Sequence, residues 1–206
     1  MFSTLNKQRE RNGQHCHRPV SGSLHYMDST SSDISTPTRT PNPKQAQSPS
    51  DFTFRCPDAT DGAAVFQLVR DCKPLDENSM YCNLLQCSHF SSTSIAAEAN
   101  GQLAGFISGY RLPEQPDTLF VWQVAVHPDF RGKRLATQML ETLLRRIGDV
   151  HYLHTTITPD NLASWNTFRR LAQDLGATLN SQTFFDKDAH FGGVHDSEEL
   201  VVIGPF

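Results

Sequence analysis

The clearest pattern along the chain is a change from a continuous apolar run to helical spacing between Leu119 and Leu144. Residues 119–126 are apolar almost throughout and rich in β-branched and aromatic side chains. Such a run predicts a central strand that is covered on both faces. From Leu135 onward, apolar residues recur at helical intervals, which predicts an amphipathic helix that packs on the strand.

Similar patterns before this segment predict one strand and two helices. Alternation over residues 52–56 predicts the first strand, and an apolar stripe that ends at Cys72 predicts a helix capped by Asp58. A second helix is expected to begin after Asn78 or Ser79, because both residue types are good caps. The residues of this helix that we expect to face inward are Met80, Leu84, Leu85 and Cys87.

The hydrophobic pattern also predicts the elements around and after the central segment. An Asn-Gly turn joins residues 94–99 to residues 102–111, which is typical of a hairpin. After the central helix we predict a strand at residues 152–157 and a helix at residues 161–175. The apolar run at residues 200–203 predicts a last strand.

Composition separates residues 1–50 from the rest of the chain. This segment has few large apolar side chains, many Ser, Thr, Pro, Asn and Gln, and a run of spaced prolines between residues 34 and 50. It cannot bury enough surface to offset the entropy of ordering, so we predict a disordered extension. Residues 51–206 are expected to form one domain, since they are enough for one core.

Charge and cysteine usage narrow the class of protein. A net charge of −4 without an extended basic face argues against a dedicated nucleic-acid binder. No signal-peptide core and no long apolar run occur, so we expect a soluble cytoplasmic protein without membrane attachment. The five cysteines form no CxxC pair and are expected to be reduced thiols, with Cys72 and Cys82 packed as small hydrophobes.

Three cations lie between the central strand and the central helix: Arg131, Lys133 and Arg134. A helix N-terminus offers unpaired N–H groups and the positive end of the helix dipole at the same place. The alternative is a solvated basic loop. The flanking strand and helix favour an anion site instead, and phosphate or pyrophosphate is the anion expected there.

The pattern V-x-V-x-P-x-x-R-G-x-x-x-A, from Val124 to Ala136, resembles the coenzyme A motif of the GNAT N-acetyltransferases. Arg134 stands where the family usually has its middle glycine, and its charge can replace a close backbone contact with pyrophosphate. The resemblance implies that acetyl-CoA contacts Val124, Val126, Arg131, Gly132, Lys133, Arg134, Leu135 and Ala136. It also implies the GNAT fold over residues 51–206: an α/β fold with a mixed, mostly antiparallel sheet flanked by helices.

A second segment, residues 161–168, resembles the helix that many GNAT enzymes place along the pantetheine arm. This resemblance implies that Asn161, Trp165 and Phe168 contact the cofactor. Asn161 has an alternative role as the cap of its own helix. Phe168 stands where many relatives have a tyrosine that protonates the departing thiolate. Either another group is the acid, or the thiolate leaves unprotonated, as a thiol pKa of about 8.5 permits.

Four longer segments, which begin at Leu75, Pro116, Thr155 and His190, resemble a narrower group of this family. That group acetylates the 4-amino group of L-2,4-diaminobutyrate in ectoine synthesis. The resemblance implies this activity, and it implies a homodimer. Acetylation of another small polyamine or of a protein amine is an alternative. A non-catalytic CoA-binding module is a third possibility, because position 168 has no tyrosine.

Acetyl transfer from a thioester to an amine makes two demands on the site. An amine with a pKa of about 10.4 must lose a proton, directly or through water. The thioester oxygen must be held by donors, and the N–H groups of Val124 and Val126 at a bulge in the central strand are our candidates.

A diamino acid carries two ammonium groups and one carboxylate, so its pocket should contain carboxylates and an aromatic wall. The candidate substrate-binding residues are Asp76, Tyr81, Trp122, His195, Asp196 and Glu198. Of these, His195, Asp196 and Glu198 are also the candidate catalytic residues. The ordinary alternatives are a helix cap at Asp76, a core position for Trp122 and a solvated turn at Glu198. No metal is expected, because His190, His195 and Asp196 lack a third well-spaced ligand.

Overall fold

The computed structural model describes residues 52–73 and 75–206. The prediction that residues 1–50 are disordered, and the exact start of the domain at Asp51, lie outside the described residues. Among the described residues, no helix is long and apolar enough to cross a membrane.

Within the described part of the chain, seven strands form one sheet in the order β1-β2-β3-β4-β5-β7-β6. The strands are β1 Thr53–Arg55, β2 Ile95–Ala99, β3 Gln102–Leu112, β4 Gln115–Val126, β5 Tyr152–Ile157, β6 Leu179–Phe185 and β7 Glu198–Ile203. Every neighbouring pair is antiparallel except β4 and β5, which are parallel. The predicted mixed, mostly antiparallel sheet is therefore confirmed.

Four α-helices of the described residues cover the two faces of the sheet: α1 Gly62–Asp71, α2 Met80–Ser88, α3 Leu135–Ile147 and α4 Leu162–Leu175. One buried cluster joins α3 and α4 to the sheet, and a smaller one joins α1 and α2 to it. On β3, Ile107 belongs to the first cluster and Phe106 to the second. The central strands are thus covered on both faces, as the apolar run at residues 119–126 predicts.

Strand β4 contains a bulge at Trp122. Gln123 pairs with Ser108 of β3, whereas Val121 pairs with the next residue, Gly109, so Trp122 has no partner in the register. A bulge reverses the alternation of side chains along a strand. Val121 therefore faces the α3 and α4 side, while Gln123 faces the opposite side.

Strands β4 and β5 separate beyond the bulge. Their parallel register contains only the pairs of Thr118, Leu119 and Phe120 with residues 152–154. Strand β5 then continues with β7, while β4 continues with β3. The gap between the diverging strands is where the candidate site begins.

Three details differ from the sequence-based prediction. Strand β6 was not predicted, and β7 begins at Glu198, before the predicted start. Helix α2 is capped by Ser79, and it turns polar Asn83 and Gln86 inward, whereas Met80 is exposed. Cys72 is buried as expected, but Cys82 is only half-buried.

Candidate active site

Two adjoining cavities occupy the gap between β4 and β5. The first, of about 570 Å³, lies between the end of β4, the start of α3 and one face of α4. The second, of about 910 Å³, lies between β4, β5, the loop at residues 75–79 and the segment at residues 193–198. We call them the cofactor cavity and the acceptor cavity. Residues that line both are Leu75, Val124, Asn161, Ala163, Ser164 and Phe168.

The cofactor cavity is built on the connection from β4 to α3. Gly132 has φ 76° and Arg134 has φ 59°, so the backbone adopts the left-handed region twice before α3 begins at Leu135. This region suits glycine, but it is strained for arginine. Arg134 is held by an ion pair of 2.7 Å between its Nη2 and Oδ2 of Asp174 in α4.

Most of the predicted cofactor residues line this cavity: Val124, Val126, Arg131, Gly132, Arg134, Leu135, Ala136, Asn161 and Phe168. Lys133 does not, because its ammonium lies over the Phe130 ring, 5.3 Å from the centroid. Trp165 does not either. It is a buried core residue whose Nε1 donates to the Thr158 carbonyl over 3.2 Å. The contact of these two residues with the cofactor therefore stays a prediction that the lining of this cavity does not support.

Two cations that the sequence analysis missed also line the cofactor cavity: Lys73 and Arg170. Arg170 lies on the same side of α4 as Ala163 and Thr167, four and three residues apart along one helix face. That spacing was a usable signal, but the family motif ends at Phe168.

The backbone of β4 offers donors to the gap. His127 N–H donates to the Ala104 carbonyl of β3 over 2.9 Å. Because bonding direction alternates along an antiparallel ladder, the N–H groups of Val124 and Val126 point away from β3, toward the gap. The Val126 carbonyl points the same way and accepts from Cys72 Sγ and Arg131 Nε, over 3.2 and 3.3 Å.

The acceptor cavity brings together five of the predicted substrate residues: Asp76, Trp122, His195, Asp196 and Glu198. Trp122 is 45% exposed at the bulge, so it is not an ordinary core residue. Tyr81 is 70% exposed on α2 and does not line the cavity, so its contact with the substrate stays a prediction. The Ser79 cap sets the first turn of α2 so that Tyr81 faces solvent.

His195 joins the two sides of the acceptor cavity. Its Nε2 lies 3.3 Å from Asp76 Oδ2, and its Nδ1 lies 2.7 Å from the Asp196 carbonyl oxygen. That carbonyl raises the pKa of His195 above its ordinary value. Desolvation opposes the increase, and the negative charges of Asp76 and Glu198 add to it. The imidazolium form therefore persists to a higher pH than in an isolated histidine.

The carboxylates of the acceptor cavity are not equivalent. Lys187 Nζ donates to Asp196 Oδ1 over 2.9 Å, and this bond holds the pKa of Asp196 below its usual range. Asp76 is engaged by His195. Among the described residues, the Glu198 carboxylate has no hydrogen-bonded side-chain partner, and it lines the cavity.

Comparison with known proteins agrees with the two segments that line the cofactor cavity. The sequence model of the Acetyltransferase (GNAT) family matches residues 62–172, which contain both cofactor segments. The chain belongs to this GNAT family.

Individual GNAT relatives agree over most of the chain. The L-2,4-diaminobutyric acid acetyltransferase of Methylotuvimicrobium alcaliphilum is 53% identical over 157 residues, which cover 75% of this chain and 91% of the relative. The enzyme of that name from Vibrio parahaemolyticus is 51% identical over 151 residues, covering 72% of this chain and 83% of its own. The resemblance to this narrower group is confirmed.

A solved GNAT structure gives the same result at the level of the fold. Diaminobutyrate acetyltransferase from Paenibacillus lautus, in complex with its substrate L-2,4-diaminobutyric acid and coenzyme A, has a TM-score of 0.71 and 38% identity. The match covers 75% of this chain and 95% of that chain.

Two positions in the GNAT helix α4 can now be assigned more closely. Asn161 Oδ1 accepts from the Ser164 N–H over 3.1 Å, so Asn161 caps α4, and it also lines both cavities. Its contact with the cofactor stays a prediction. Phe168 is buried and lines both cavities, so the position of the usual tyrosine has no proton to donate.

Proposed function

We propose that the chain transfers the acetyl group of acetyl-CoA to the 4-amino group of L-2,4-diaminobutyrate. The products are N4-acetyl-L-2,4-diaminobutyrate and CoA, a step of ectoine biosynthesis. One observation carries the proposal: the two cavities meet at Val124. One of them contains basic residues at a helix N-terminus, and the other is lined by carboxylates. Identities above 50% to enzymes of that name support the choice of substrate.

The cofactor cavity supplies the binding groups for acetyl-CoA. The N-terminus of α3, Arg131 and Arg134 provide positive charge for the phosphates. The N–H groups of Val124 and Val126 provide donors for the thioester oxygen. Donors fixed in advance at the place where negative charge develops stabilise the transition state.

The acceptor cavity supplies complementary charge for the amino acid. Lys187, and His195 when it is protonated, attract the substrate carboxylate, while Asp76 and Glu198 attract its ammonium groups. Trp122 adds an aromatic wall against which a cationic group can rest. A site that anchors one end of the substrate distinguishes its two amino groups by distance.

Glu198 is our candidate for the group that removes the proton from the 4-ammonium, through water. Asp196 is ion-paired with Lys187, and both ring nitrogens of His195 are engaged, Nδ1 by the Asp196 carbonyl and Nε2 by Asp76, so neither side chain is a free acceptor. The leaving thiolate has no acid at Phe168. Its low basicity, with a pKa of about 8.5, permits departure without protonation.

Release of free thiol from acetyl-CoA on addition of diaminobutyrate tests the proposal, and NMR of the product locates the acetyl group. Shortening the diamine to 2,3-diaminopropionate moves the amine off its attack distance, and a misplacement of about 1 Å can reduce the rate about a hundredfold. Acetyl on the 2-amino nitrogen would contradict the anchoring. A rate that is equal for spermidine or a peptide amine would favour the alternative acceptors, and no thiol release would favour a binding module.

Glu198→Gln tests the base. It should lower kcat and leave the KM for acetyl-CoA unchanged, because it removes charge at the acceptor end only. Glu199→Gln is the matched control, since Glu199 accepts a hydrogen bond from Thr183 over 2.8 Å and does not line the acceptor cavity. Equal effects of the two variants would reject Glu198 as the base.

We also propose a homodimer in the cytoplasm. Strand β6 is the edge of the sheet, Phe184 and Phe185 on it are exposed, and Val194 nearby in the sequence is 91% exposed. Exposed apolar surface of this kind is typical of interaction sites. Cys72, Cys82 and Cys87 are free thiols, which suits a reducing compartment. Light scattering measures the oligomeric state, and cell fractionation measures the location.

A further inference from the structure

Gln123 connects the central strand to the loop at residues 75–79, which we call the acceptor loop. The side chain lies on β4 directly before Val124 and is only 8% exposed. Its Nε2 donates to the Asp76 carbonyl over 3.3 Å, and its Oε1 accepts from Asn78 Nδ2 over 3.0 Å.

The orientation of this amide is set by its partners. A backbone carbonyl can only accept, so the Asp76 carbonyl requires Gln123 Nε2 on its side. Gln123 Oε1 then faces Asn78, which must present its NH₂ group. Among the described residues, no other hydrogen bond joins residues 76–78 to β4. Gln123 is therefore the polar link between strand and loop.

The acceptor loop contributes to both cavities. Leu75 lines both of them, and the Asp76 carboxylate contacts His195, which comes from the other end of the domain. On the solvent side, Glu77 contacts Lys73 and Arg70. Movement of the loop relative to β4 would therefore move Asp76 and His195 relative to the Val124 N–H.

We propose that Gln123 is a positioning residue that fixes the separation between Asp76 and the Val124 amide, and thereby selects the length of the diamine. The proposal deepens the proposed function and rests on it for the identity of the substrate. It follows because Gln123 and Val124 are neighbours on one strand, so the two hydrogen bonds tie the acceptor loop to the donor of the thioester site. Fixed mutual geometry of this kind governs the rate of a two-substrate reaction.

Gln123→Leu tests the proposal, because leucine occupies similar space and removes both hydrogen bonds. The KM for diaminobutyrate should rise about tenfold, the factor that corresponds to ~1.4 kcal/mol. The KM for acetyl-CoA should stay within about twofold of its original value, because Gln123 does not line the cofactor cavity and the basic residues around the start of α3 are untouched. The preference for diaminobutyrate over diaminopropionate should fall from about a hundredfold to below about tenfold, since the arm length is no longer selected.

Ser108→Ala is the matched control. Ser108 pairs with Gln123 across the β3–β4 ladder, is buried, and has no hydrogen-bond partner for its hydroxyl among the described residues. The Ser108→Ala substitution changes the same place in the sheet without affecting a contact of the acceptor loop. The preference for diaminobutyrate over diaminopropionate should therefore not change. Equal loss of kcat/KM for both diamines in Gln123→Leu, with an unchanged ratio, would show a merely structural role and overturn the proposal.

Asn78→Ala is the alternative test if Gln123→Leu does not fold, because it removes one of the two hydrogen bonds from the side of the loop. The preference for diaminobutyrate over diaminopropionate should fall to a value between those of the wild type and Gln123→Leu. The double variant should be no less selective than Gln123→Leu alone, because both substitutions act on one link. Additive losses would mean that Asn78 and Gln123 act independently, against the proposal.

NMR titration of His195 gives a readout that does not depend on turnover. Displacement of Asp76 in Gln123→Leu or Asn78→Ala should lower the pKa of His195, and Ser108→Ala should leave it unchanged. If the wild-type protein releases no thiol with any diamine, the proposed function fails, and this titration still decides whether the link positions Asp76. An unchanged pKa of His195 in both variants would overturn the positioning role.

Discussion

The three cations at residues 131–134 have side chains in different places, although they form one basic cluster in the sequence. Arg131 and Arg134 line the cofactor cavity, whereas Lys133 lies over the ring of Phe130. The sequence predicted the cluster, because three cations at a helix N-terminus indicate an anion site. It did not give the direction of each side chain, because that depends on the left-handed backbone at Gly132 and Arg134.

Arg131→Ala should therefore raise the KM for acetyl-CoA, with a loss of roughly 1.5–3 kcal/mol of binding free energy, as for a charge-assisted hydrogen bond. Lys133→Ala is the control two positions away, and it should change this KM by less than about threefold, because the Lys133 ammonium lies over the Phe130 ring and does not line the cofactor cavity. Steady-state kinetics with varied acetyl-CoA measures both. The prediction is wrong if the two variants behave alike.

Asp76→Asn should lower the pKa of His195, because it removes one of the negative charges that raise this value. The folded-state pKa lies above that of the unfolded chain, about 6.5. Stabilisation by the protonated ring is therefore fully present below that pH and is lost as pH rises through the folded-state value. The Tm of the variant should fall most relative to wild type near pH 6 and least near pH 9. A pH-independent difference would rule out this charge pair.

At the scale of elements, a helix or strand could be predicted from the sequence only where its apolar and polar residues alternate clearly. Strand β5 was predicted at its observed bounds, because alternation over residues 152–157 matches alternating burial. Strand β6 was missed because almost all of its residues are exposed, so its sequence has no apolar alternation. The inward face of α2 was misassigned because the buried residues Asn83 and Gln86 are polar.

Arg134→Gly tests what the arginine contributes at the start of α3, where the backbone is left-handed. Glycine removes the strain of the left-handed backbone, about 1–2 kcal/mol, and the lost surface ion pair with Asp174 contributes about 0–1 kcal/mol. The unfolding free energy should thus stay equal or rise slightly. The KM for acetyl-CoA should rise about tenfold, since a charge near the phosphates is lost. Chemical unfolding and kinetics separate the two effects, and an unchanged or improved KM would show that Arg134 does not replace a backbone contact.

At the scale of the whole molecule, contacts between distant segments could not be predicted from the hydrophobic pattern or from residue spacing. Asp76 and His195 are 119 positions apart, and only a resemblance to a family connected them before the structure did. Gln123 was missed altogether, because a single glutamine in an apolar strand carries no periodic signal. Its importance depends on partners 45 and 47 positions away.

Removal of residues 1–50 should leave kcat/KM for both substrates within about threefold, because a segment whose composition predicts no core of its own is expected to contribute little to a site formed elsewhere. The relatives support this expectation, since the aligned region covers 75% of this chain and 91% of the Methylotuvimicrobium enzyme. Kinetics of the shortened protein provides the measurement. A tenfold fall in activity or loss of folded protein would contradict it.

The separation of β4 from β5 has a mechanical consequence. Only the pairs of Thr118, Leu119 and Phe120 hold these strands in register, whereas β3 and β4 pair along most of their length. Under tension applied across the sheet, this seam should part more easily than the longer β3–β4 ladder. A cut in the connection around Gly148 would then divide the chain into two fragments that meet at the seam, and their reassembly would report on whatever fills the cleft between them.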